Sequence, residues 1–131
     1  MTSTDVTNVE NSRMLKRNGA PQHTHAYWQG IMPSLSTIQG MASIASEKKG
    51  KMQWNLVLER PTEPYASAYT LEELQVFLKA YLGGQNQEKP LPEVKKVDKL
   101  YICSIDDKTT YTDKTEVNAF ALAVISIIKR V

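Results

Sequence analysis

Two histidines one residue apart, His23 and His25, are the nearest approach to a metal motif in this chain, with Tyr27 and Trp28 just beyond. Residues at i and i+2 share a side only in an extended segment, because a helix brings i and i+4 together. Zinc takes four ligands drawn from His, Cys and carboxylates, yet the 131 residues hold no third histidine and a single cysteine. The pair therefore reads as surface histidines at the edge of a folded domain, and no metal or cofactor is expected.

Cys103 would need a base to act as a nucleophile. The only histidines lie in the polar segment near the start, so beside Ile102 it reads as a small buried hydrophobe in a strand. Asp106 and Asp107 have the chemistry to bind a cation or exchange protons, but ahead of Lys108 and Thr109 they read as a turn. Gly83 and Gly84 follow a helical pattern, whereas a phosphate-cradling glycine loop precedes one. These residues indicate neither an enzyme nor a small-molecule ligand.

Lysines carry a nucleic-acid alternative. Lys48, Lys49 and Lys51 run into a strand bearing Trp54, and Lys95, Lys96 and Lys99 run into one bearing Tyr101. Were those strands neighbours, two basic clusters would flank aromatics able to stack on single-stranded bases. Arg13, Lys16 and Arg17 would add phosphate contacts. Against this, Trp54 alternates with Met52, Leu56 and Leu58 as a core tryptophan does, and lysines commonly guard strand ends. A formal net charge of +2 does not by itself call for nucleic acid or an anionic membrane.

The elements that would position these residues follow from periodicity. Residues 1–25 lack an apolar period and read as a polar N-terminal arm ahead of a single domain over 26–131. Leu35, Ile38, Met41, Ala42 and Ala45 recur at helical spacing. Residues 52–59 alternate as a strand with Met52, Trp54, Leu56 and Leu58 inward, and 62–69 read as a loop. Thr70 and Glu73 form a capping box for a helix whose stripe is Leu71, Leu74, Phe77, Leu78, Tyr81 and Leu82, with Gly83 as its left-handed end. Residues 85–96 read as a surface loop, 97–105 as a strand and 110–112 as a short return strand. Asp113 and Glu116 are expected to cap a last helix, favoured over a buried strand despite its β-branched residues. The order α-β-α-β-β-α predicts an α+β fold, with a small antiparallel or mixed sheet and about three packed helices.

That last segment supplies the functional expectation. On a helical projection Val117, Phe120, Ala121, Val124, Ile127, Ile128 and Val131 gather on one face, with Leu122 on the opposite side. One small sheet face holds two such helices, so a third apolar helix must cover the sheet's open face or pack on another chain. Phe120, Leu122, Val124, Ile127, Ile128 and Val131 are the expected self-association face. The expectation is a non-enzymatic homo-oligomeric accessory, inhibitor or assembly subunit acting through protein–protein contacts, of the kind viruses and mobile elements encode. With 41% hydrophobic and 23% charged residues the composition is that of a globular protein. One cysteine excludes an intramolecular disulfide and suits the cytoplasm. The first ten residues lack a signal peptide's pattern, and no run reaches the roughly 18–20 apolar residues of a membrane span.

Overall fold

A computed structural model of the chain describes residues 6–31, 52–84, 91–106 and 108–129. Nine elements follow in order: α1 (Val9–Arg17), β1 (Ala26–Ile31), β2 (Gln53–Val57), β3 (Tyr65–Ala68), α2 (Leu71–Gly84), β4 (Glu93–Val97), β5 (Leu100–Ser104), β6 (Thr110–Asp113) and α3 (Glu116–Lys129). The class is α+β, as expected, but the described strands form two antiparallel sheets, β2-β1-β3 and β4-β5-β6, rather than one. The helix expected around Leu35 to Ala45 lies outside the described residues.

Residues 6–25 are not a free arm. Asn8 caps α1 by accepting a hydrogen bond from the Asn11 amide (2.8 Å), and Gly19, at φ 94°, ends it in the left-handed region that favours glycine. A search for apolar period misses this helix because its buried face is Asn11, Ser12 and Leu15, two of them polar. Those polar groups are satisfied. Thr7 exchanges backbone bonds with the 69 position, its amide donating to Tyr69 O and its Oγ1 accepting from the Tyr69 amide (2.8 and 3.0 Å). Its carbonyl accepts from the Trp28 indole (2.8 Å), and its hydroxyl meets that of Ser12. Asn118 Oδ1, on α3, accepts from the Asn8 amide (2.9 Å) and from Asn11 Nδ2 (3.0 Å). One short segment thus ties β1, the end of β3 and α3 together.

In the first sheet Trp28 lies opposite Leu56 and Ala66, and Ala26 opposite Ala68. This face packs with Val6 and Val9. A Cβ on Gly30 would collide with Met52 Sδ and stand 3.0 Å from the Trp54 ring, so glycine leaves room for both side chains. Strand β3, read as a loop from sequence, is buried throughout. Its small residues Ala66 and Ala68 hide the alternation that marks a strand, and they allow α1 to approach closely. Leu58, expected inward, is 70% exposed because β2 ends at Val57.

The second sheet contains a strand the sequence conceals. Prolines and charge make 85–96 look like loop, yet Glu93–Val97 pairs with β5 as an edge strand whose lysines discourage further pairing. A two-residue turn at Asp98 and Lys99 joins them, with Asp98 at φ 55°. Val94, Cys103 and Tyr111 lie across one face and pack into the main core with α3. Asp106 Oδ1 accepts from the Lys108 and Thr109 amides (both 2.8 Å), the expected turn.

Helix α2 has its capping box, with the Thr70 amide donating to Glu73 Oε1 (2.9 Å) and the Glu73 amide to Thr70 Oγ1 (3.1 Å). Gly83 does not end it in a left-handed turn; it and Gly84 stay helical. The cap of α3 is Thr115 rather than Asp113: Thr115 Oγ1 accepts from the Asn118 amide and from Asn118 Nδ2 (3.3 and 2.7 Å). Asp113 instead accepts from the Thr115 amide (3.2 Å). From Val117 to Ala121 every side chain of α3 is buried, because α1, α2 and the second sheet surround it.

Leu15→Ala is expected to lower unfolding free energy by about 2–5 kcal/mol. Asn118→Ala, which leaves the buried Asn11 Nδ2 and the part-buried Asn8 amide without their acceptor, should cost about 1–3 kcal/mol. Urea titration measures both; a free arm would leave Leu15→Ala within about 0.5 kcal/mol of the parent.

Candidate functional site

Side-chain hydrogen bonds hold residues 21–25 against β3 and α2. Gln22 Oε1 accepts from the Ser67 amide (2.7 Å) on the outer edge of β3, and its Nε2 donates to Ala20 O (3.0 Å). The Tyr69 hydroxyl donates to Pro21 O. The His25 amide donates to Glu73 Oε2 (3.1 Å), so the carboxylate that caps α2 also anchors the histidine segment. Thr24 Oγ1 donates to Ala26 O (2.7 Å), and its amide to the Tyr27 hydroxyl (3.4 Å).

Between this segment and the first turns of α2 lies an open cleft of about 530 Å³. One wall is Pro21, His23, Thr24 and His25; the other is Thr70, Glu72, Glu73, Val76, Phe77 and Ala80, with Tyr69 also lining it. Val76 is 66% exposed and Phe77 half-buried, so the α2 wall presents an apolar strip beside two carboxylates. Burial, then the Glu73 charge, push the Tyr69 phenol above its ordinary range, which keeps it a neutral donor to Pro21 O.

Both histidines therefore lie on the cleft, in the segment leading into β1. Among the described residues no group of three or more His, Cys, Asp or Glu is placed to hold a metal ion. Sequence reasoning missed the α2 side. Phe77 belongs to the core stripe and packs against the main core while also lining the cleft, and Glu72 carries no local mark of the cleft. Val76 was the available signal: an apolar β-branched residue off the stripe of its own helix.

The other candidate residues lie elsewhere. Phe120, Val124 and Ile128, expected on a self-association face, are buried in the chain's own core. Ile127 is half-buried against that core and Leu122 half-buried, while Val131 lies outside the described residues. The apolar excess of α3 is taken up by α1, α2 and the second sheet, elements the sequence only partly revealed.

Lys48, Lys49 and Lys51 also lie outside the described residues. Lys95 and Lys96 alternate along β4, so Lys95 shares a face with Ile102 and Thr112 while Lys96 shares the opposite one with Tyr101 and Asp113. Lys96 Nζ sits 5.8 Å from the Tyr101 ring centre, and Lys99 lies in the turn. Tyr101 packs against the main core and Trp54 against the first sheet's core, so neither ring stands on the face that carries Lys95. Arg13 covers the Trp54 ring at 5.3 Å, and Lys16 covers Tyr65 at 3.9 Å while pairing with Glu63. Hydrogen bonding from Lys16 holds the Glu63 carboxyl below its ordinary range.

Cys103 is fully buried in β5, and burial raises its thiol from 9.0 to about 11. A thiol pKa raised by folding adds stability below the unfolded value and loses it as pH climbs toward the folded one. Between pH 9 and 11 the parent should therefore lose more unfolding free energy than Cys103→Ala does. Urea titrations across that window check it, and parallel losses would contradict it.

Comparison with protein-family models, with curated proteins and with solved structures finds no match.

Proposed function

We propose that this chain is a non-enzymatic interaction protein that takes hold of another polypeptide in the cleft between residues 21–25 and α2. The observation that carries this is the exposed Val76 beside half-buried Phe77, facing a wall pinned by Gln22 and His25. An apolar strip rimmed by a few polar groups is the usual composition of a recognition site, and a wall already ordered lowers the entropic cost of binding. The partner is met here rather than on α3, whose side chains serve the chain's own core. The buried Cys103 thiol supports a reducing, cytoplasmic setting.

Peptides of twelve residues displayed on phage and selected on the full chain test this. Selected peptides should shift amide resonances of residues 21–25 and 72–80, and Val76→Ser should weaken them about tenfold, the order expected for one buried aliphatic side chain. Shifts confined to other surfaces, or affinity indifferent to Val76→Ser in a folded variant, would contradict it.

A further inference from the structure

We infer that the cleft takes a basic, aliphatic-rich segment, a Lys or Arg side chain beside Leu- or Val-like ones. This rests on the cleft being the binding surface. Among the described residues its lining holds two carboxylates, Glu72 and Glu73, and neither lysine nor arginine. Glu73 is engaged by the Thr70 and His25 amides, whereas Glu72 is exposed, with no hydrogen bond or ion pair among the described residues. The start of α2 contributes the opposite sign, but a helix end is equivalent to roughly +0.5 charge. Two carboxylates outweigh it, and the cleft is an anionic rim beside an apolar strip. A cation whose aliphatic stem lies along Val76, Phe77 and Ala80 would satisfy both halves.

The test titrates the isotopically labelled full chain with the capped peptide Leu-Lys-Val-Leu-Lys-Leu and its counterpart with Glu in place of Lys, at low salt. At pH 7.5 the lysine peptide should shift residues 21–25 and 72–80 with at least tenfold tighter binding than the glutamate peptide, and Glu72→Gln should weaken it severalfold. Equal or tighter cleft binding by the glutamate peptide overturns this inference and leaves the interaction role standing. Silence of the cleft toward both peptides counts against the interaction role itself.

Discussion

The fold depends on one buried polar cluster whose members find partners. Thr7, Asn11, Ser12 and Asn118 are almost wholly inaccessible to water, a placement that costs stability unless every donor is matched. They are matched to one another, to the Trp28 indole and to the backbone of Tyr69. Hydrogen-bond geometry is directional where apolar packing is not. This cluster therefore sets how α1 sits between the first sheet and α3, while Leu15 supplies the apolar contact to the main core.

The cleft inherits its walls from that arrangement. Residue 69 is bonded to Thr7 through its backbone and to Pro21 through its hydroxyl, so one tyrosine links the buried knot to the histidine segment. Gln22 blocks the free edge of β3 that would otherwise invite another strand. Glu73 serves twice, ending the unsatisfied amides at the start of α2 and holding His25. Hydrogen bonds to β3 and α2 thus hold the wall formed by residues 21–25, and the exposed Val76 stands on the α2 side.

What could be read from sequence was whatever announced itself through apolar period or cap chemistry. Helix α2 was plain because Thr70 and Glu73 are a capping box ahead of a regular stripe, and α3 because a long apolar run near the chain's end has few other uses. Helix α1 was hidden by its polar buried face, whose satisfaction depends on Asn118 more than a hundred residues away. Strand β3 was hidden by small residues, and β4 by the lysines that protect an edge. Each omission left the apolar surface of α3 without visible partners, which is why a core helix looked like an oligomer seam. The histidines were noticed, but their neighbours on α2 depend on tertiary contact and carry no local mark apart from Val76.

Native-state amide hydrogen exchange gives the most direct test of the buried polar knot. Thr7, Asn8, Ser12 and Tyr69 all donate backbone amides within it or beside it. If the knot joins α1 to the rest of the fold, these amides should exchange as slowly as those in the middle of α3, opening only with global unfolding. Exchange of Thr7, Asn8 and Ser12 at the rate of an unstructured peptide, while α3 stays protected, would contradict it.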